Sequence, residues 1–238
     1  VFSDTVAGDT NAFSPEVTSD TKVSPEVSPE THGEVSDAHP HETESETDVG
    51  TPDEYSLTVS CAGPPEAVYD VKASSLAPDT PLGAVLGCGE DPAFEAAAVA
   101  SFAAKLDAVE VSHGIRSLRI AYRTQRAPGV PGVGTARVFM PSPRPAEGLG
   151  LVIMAHGTVG LLDTCAPSRS TGSVPEMAVP FAGQDMVVIA PDYAGLGNEG
   201  TQGYGDSHDT TYSVLDALRA ADALFGPGVL NGKYAVVG

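Results

Sequence analysis

Three runs in this chain, at 150–156 (GLVIMAH), 184–192 (QDMVVIAPD) and 233–238 (KYAVVG), are apolar without period-two alternation. A strand has that pattern when both its faces are covered, as in a parallel sheet sandwiched by helices. Between the second and third runs lies SHDTTYSVLDALRAADALFG (207–226), which predicts a helix. Ser207 or Asp209 would cap it, Tyr212, Leu215, Leu218, Ala221 and Leu224 would form its apolar stripe, and Gly226 with Pro227 would end it. Strand, loop, strand, helix, strand is the order of an α/β fold with a mostly parallel sheet and right-handed crossovers.

Upstream, SLRIAYRTQ (117–125) and GTARVFMPSP (134–143) alternate in part and suit a hairpin-like pair of strands. DPAFEAAAVASFAAKLDAVE (91–110) predicts a further helix, with Asp91 as N-cap, Pro92 at its first position, and Phe94, Val99, Phe102 and Leu106 at helical spacing. Residues 61–90, rich in Gly and Pro, promise little regular structure.

The first 60 residues differ in kind. They hold 14 acidic side chains against the single base Lys22, so they carry −13 of the chain's net −20. They also repeat SPEV at 14–17 and 24–27 and SPE at 28–30. So little apolar surface does not offset the entropy of ordering, so this segment is expected to be a disordered acidic tail, either a solvated stalk or a plain linker. His39 and His41 in HPHE have no ordered partners with which to hold a metal. The domain reading is therefore a tail over 1–60, a Gly/Pro-rich lead-in and helix over 61–111, and the α/β body over 112–238.

An acidic chain without a basic stripe is a poor partner for nucleic acid or an anionic membrane. No run of 18 apolar residues is present to span a bilayer. The N-terminus, VFSDTVAGDT, has neither an initiator Met nor a signal-peptide core, as expected if a leader has been removed or the sequence begins within a gene. TVSC, ending at Cys61, has the look of a lipidation site but lacks the apolar leader such a site needs. Cys61 and Cys88 are placed to pair in an exported protein, which would leave Cys165 over. The sequence does not indicate an oligomeric state.

In a parallel sheet the ligand site lies at the carboxyl ends of the strands. After the first strand, AHGTVGLLDTCAPSRS puts Gly157, with no side chain to obstruct its neighbours' N–H groups, at that edge; backbone donors aimed at one point stabilise an oxyanion. His156 fits a structural hydrogen-bonding residue better than a general base. After the second strand, APDYAGLGNEGTQGYGD has Asp192 and Tyr193 at its mouth, then Gly195, Gly197, Gly200 and Gly203, which suggest a flexible connection. Asp192 is expected to tie this loop through backbone N–H groups more readily than to act chemically. No helix opens on GLGNEG (195–200), so it is not taken as a dinucleotide fingerprint, and no cofactor is expected. The third strand delivers Gly238 to the place where the first glycine of a G-x-S-x-G nucleophile elbow would stand.

Taken in order, AHGTVG (155–160) with CAPS (165–168), APDYAGLG (190–197), SVLDALRAA (213–221) and YAVVG (234–238) resemble the successive blocks of the secretory lipase family of α/β-hydrolases. RIAYRTQRAPGVPGVGTARVFMPSP (119–143) resembles that family's N-terminal strand pair. The resemblance runs from about residue 112 to 238. It implies an α/β-hydrolase fold and a lipase or esterase that cleaves ester or lipid substrates by Ser-His-Asp chemistry through an acyl-enzyme. It also implies that Gly157 and Thr158 form the oxyanion-hole loop, with His156, Asp192 and Tyr193 around the substrate pocket. Cys165 matches a cysteine that in some relatives pairs with one further along.

In that family the serine, acid and histidine all follow the position of Gly238; His208 and Asp209 sit at a helix start and fit no triad position. The expectation is thus an N-terminal fragment ending at the nucleophile elbow, whose last strand leaves a sheet edge and an apolar face open. Two other readings are a hydrolase of the same fold acting on peptides and a noncatalytic surface module on an acidic stalk.

Overall fold

The computed structural model describes residues 54–106, 110–111, 113–170 and 178–238; the acidic repeats and His39 and His41 lie outside them. Six strands form one mixed sheet in the order β1-β2-β3-β5-β4-β6. They are β1 (Val85–Phe94), β2 (Gly114–Ala127), β3 (Val130–Ser142), β4 (Leu149–Met154), β5 (Met186–Pro191) and β6 (Leu230–Val237). The helices are α1 (Ala96–Lys105), the single turn α2 (Val179–Ala182) and α3 (Ser207–Leu224).

The three apolar runs pair in parallel as expected, β5 with β4 (Val188 opposite Val152) and β4 with β6 (Val237 opposite Met154). The other three pairings, β1–β2, β2–β3 and β3–β5, are antiparallel, so the sheet is mixed rather than mostly parallel. The β2–β3 hairpin closes on Pro128 and Gly129 alone, with Gly129 at φ 78°. Proline followed by a left-handed glycine is what a type II turn requires, and it lets both strands run through a Gly/Pro stretch that looks like a loop.

Alternate residues of the central strands feed two cores. Leu118, Ile120, Tyr122, Val138, Ile153, Val187 and Ile189 pack with Ala217, Ala220, Ala221 and Leu224 of α3. Ile115, Phe139, Val152 and Val188 face the opposite way, towards Val99 and Ala103 of α1 and Val179 and Ala182 of α2. Covering on both faces explains the unbroken apolar runs of β4 and β5, and each fully buried Ile or Leu contributes about 2 kcal/mol.

Several expectations need correction. Residues 85–94 form β1, and α1 starts only at Ala96; its N-cap Glu95 makes no side-chain bond. Asp91 is not a cap: it sits in β1 and binds two buried arginines. The N-cap of α3 is Asp206, whose carboxylate accepts from the N–H groups of His208 (2.8 Å) and Asp209 (3.5 Å). The buried face of α3 also differs from the apolar stripe, since Ser213, Asp216 and Ala217 are inside and Leu215 is 45% exposed. Small and polar residues let the helix approach β2, where Thr124 donates to Asp216 (2.8 Å) and Tyr122 to the Ser213 carbonyl (2.8 Å). Finally, β6 has only β4 beside it, and Tyr234 and Val236 stand exposed.

Residues 54–60, counted with the tail on composition, belong to the folded body. The Tyr55 hydroxyl donates to the Pro141 carbonyl (2.8 Å), and Thr58 N–H donates to the Leu224 carbonyl (2.9 Å). Cys61 is joined to Cys88 in β1, and Cys165 is free. With 27 residues of sequence separation, loop closure gives the bridge about 3 kcal/mol of stabilising effect. Reduction, or Cys61→Ser with Cys88→Ser, is expected to lower the free energy of unfolding by that amount, read as a fall in the urea midpoint, and an unchanged midpoint would contradict this.

Candidate active site

Parallel pairing brings the carboxyl ends of β4 and β6 to one point. Ala155 N–H donates to the Val237 carbonyl (2.7 Å), and a Cβ on Gly238 would stand 2.8 Å from the Ala155 carbonyl oxygen. Only glycine fits there without displacing the backbone. Gly238 thus lies directly against the start of the first loop.

In that loop Gly157 and Thr158 are exposed, and among the described residues neither N–H has a protein acceptor. A Cβ on Gly157 would meet nothing within 4 Å. The His156 ring is fixed by main-chain carbonyls, with Nδ1 2.6 Å from Gly157 O and Nε2 3.3 Å from Asp192 O. It stacks on Tyr193 with centroids 4.2 Å apart. Each ring nitrogen faces a main-chain carbonyl, so whichever one carries the proton has an acceptor, which suits a structural residue rather than a base.

The second loop is not the slack connection its glycines suggest. Residues 191–198 are nearly all buried, and Tyr193, Gly195 and Gly197 take φ of 67°, 80° and 81°. Its main chain is held by Ala194 N–H to Ser213 Oγ (3.0 Å), Gly195 N–H to Asn198 Oδ1 (3.0 Å) and Asp192 N–H to Thr135 O (2.8 Å). The glycines therefore supply left-handed turns to a packed loop.

Asp192 is fully buried and ties together segments far apart in sequence. Its carboxylate accepts from Thr135 Oγ1 (2.7 Å), Ser168 N–H (2.8 Å) and the Ser168 hydroxyl. Ser168 in turn meets the Tyr69 hydroxyl at 2.8 Å. Burial pushes the Asp192 pKa up to about 6, against the lowering effect of the hydrogen bonds from Ser168 and Thr135. Thr135, Ser168 and Tyr69 were invisible as partners because no local spacing links them to Asp192.

Between the two loops lies a cavity of about 220 Å³, lined by His156, Gly157, Thr158, Tyr193, Gln202 and Tyr204 among others. Asp192 does not line it. A larger hollow of about 540 Å³, bordered by Glu147, Asp185, Asn231 and Tyr234, lies at the opposite ends of the strands, away from the free amides. Asp209 is paired with Arg126 (2.6 Å) and His208 is exposed beside Asp206 (3.6 Å). Among the described residues no serine hydroxyl is hydrogen-bonded to a histidine, and no group of three or more His, Cys, Asp or Glu side chains could hold a metal. No helix among them is long and apolar enough to cross a membrane.

The architecture is similar to that of the rice cell wall degrading esterase LipA from Xanthomonas oryzae, with a TM-score of 0.55 and 20% identity over 66% of this chain. The fold is that of an α/β-hydrolase. The match covers 42% of the LipA chain, so these residues span less than half of that esterase. Candida antarctica lipase A in its closed state aligns with a TM-score of 0.45 and 16% identity, over 69% of this chain and 37% of the lipase. No protein-family model and no curated protein matches the sequence. In this α/β-hydrolase frame the free amides and Gly238 occupy the edge at the strands' carboxyl ends, where ligands bind in open α/β sheets.

Proposed function

We propose that these residues are the N-terminal portion of a serine carboxylic-ester hydrolase of the secretory lipase type. The observation that carries the reading is Gly238 set against Ala155, beside the unpartnered N–H groups of Gly157 and Thr158. A nucleophile elbow opening at Gly238 would present its serine to those amides. The serine Oγ attacks the ester carbonyl and a histidine takes its proton. The Gly157–Thr158 loop holds the oxyanion, the alcohol leaves with the proton, and water then cleaves the acyl-enzyme. The serine, histidine and acid of this scheme would come from residues beyond the 238. An exported location accords with the Cys61–Cys88 disulfide, since such bonds persist in oxidising compartments.

The test is made on the product of the complete gene. It is expected to hydrolyse p-nitrophenyl esters and to be labelled by a fluorophosphonate on the second residue after Gly238. The ratio of butyrate to palmitate hydrolysis separates esterase from lipase. No label and no hydrolysis of either ester would leave the noncatalytic module as the better reading.

A further inference from the structure

Two tyrosines of the second loop grip the first loop on either side of Gly157. The Tyr193 hydroxyl donates to the His156 carbonyl at 2.7 Å, and the Tyr193 and His156 rings stack at 24°. On the other side, the Tyr204 hydroxyl lies 3.1 Å from Thr158 Oγ1. The peptide between them has open space on the Gly157 Cα, so these flanking contacts restrain it together with His156 Nδ1, 2.6 Å from the Gly157 carbonyl. Tyr193 holds its place at φ 67°, a left-handed conformation that a bulky residue keeps only when its surroundings impose it. Those surroundings are rigid: Asp192 is anchored to Thr135 and Ser168, and Ala194 to Ser213. Tyr204, by contrast, is 64% exposed, and its hydroxyl reaches across to the first loop.

We infer that Tyr193 and Tyr204 are positioning residues that hold the His156–Thr158 segment so that the free N–H groups of Gly157 and Thr158 converge on one oxygen. They act through the loop, Tyr193 at a main-chain carbonyl and Tyr204 at a hydroxyl. This rests on the acyl-transfer reading above, and it gives the buried second loop a purpose that a mere connection between strand and helix does not need.

The test uses Tyr193→Phe and Tyr204→Phe, which keep the rings and remove only the hydroxyls. In the complete enzyme each is expected to lower kcat about tenfold and the pair on the order of a hundredfold, with KM for p-nitrophenyl butyrate and the Tm unchanged. Affinity for an alkylboronate transition-state analogue should fall by the same factor as kcat, a change that a purely structural role would not produce. A second readout needs no turnover: the amide NMR signals of Gly157 and Thr158 are expected to shift and broaden in the double variant while that of Ala194 stays put. Unaltered amide signals overturn the inference whether or not kcat changes, and so does a loss confined to KM. A wild-type enzyme that hydrolyses no ester overturns the acyl-transfer reading instead, and the amide signals then still decide whether the tyrosines hold the loop.

Discussion

Asp91→Ala is expected to cost the fold about 5 kcal/mol, the upper end for removing one partner of a buried ion pair. Asp91 is 5% exposed, and it serves two guanidinium groups that are themselves almost fully enclosed. Arg119 Nε donates to it at 3.0 Å, and Arg137 Nε stands 3.1 Å away. Glu66 also binds Arg119, and Ser117 accepts from Arg137 (3.0 Å), but neither lies between the two cations as Asp91 does. Burial already lowers the Arg137 pKa and Asp91 opposes that shift, so the alanine variant leaves like charges facing each other in low dielectric. Urea denaturation measures the loss. Asp91→Asn, which keeps an acceptor but not the charge, should fall between the two, and a variant as stable as the parent would refute the account.

Asp192 makes the second large prediction. Asp192→Ala strands the buried Ser168 N–H and two hydroxyls, an expected loss of about 4 kcal/mol. Asp192→Asn separates shape from charge, because the amide can accept from Ser168 N–H and donate to both hydroxyl oxygens. The folded-state pKa of about 6 lies above the ordinary 3.8, so the native state holds this proton more tightly than the unfolded chain does. That stabilisation is complete below about pH 4 and is lost as the pH rises through 6. Asparagine does not titrate, so Asp192→Asn should gain on the wild type by about 3 kcal/mol between pH 4 and pH 7. A difference between the two proteins that stays constant over that range would show that Asp192 is not the titrating group.

Much of the sheet could be read from the chain because its signals are local. The unbroken runs at 150–156 and 184–192 are strands covered on two faces, and the Pro128–Gly129 turn joins two strands that alternate. The first strand escaped notice because LGCGEDPAF has two glycines, a proline and two acids, which is tolerable only at the sheet edge that β1 occupies. There Asp91 is worth more to two arginines than to a helix N-terminus. The stripe on α3 misled for a related reason: its inner face is chosen for close approach, so Ser213 and Asp216 outrank Leu215.

At the candidate site, the loops after β4 and β5 and the glycine ending β6 were legible from strand ends alone. The ties among them were not. Asp192 to Ser168, Tyr193 to His156 and Tyr204 to Thr158 span 24, 37 and 46 residues, and no periodicity encodes such pairings.

The bridge from Cys61 to Cys88 also settles how tension enters the molecule. A pull on the segment at residue 54 first meets the Tyr55 bond to Pro141 and then the hydrogen bonds of Ser56 to Gly226 and Thr58 to Leu224, which can break in succession like the teeth of a zip. Past them the load crosses sulfur to sulfur into β1, and the segment between 61 and 88, with Val68 and Tyr69 in its own small core, is bypassed. From there it acts along β1 against its ladder with β2, where many bonds must yield together. Oxidised, the body should resist being drawn out by its leading end; reduced, it should first release the intervening loop.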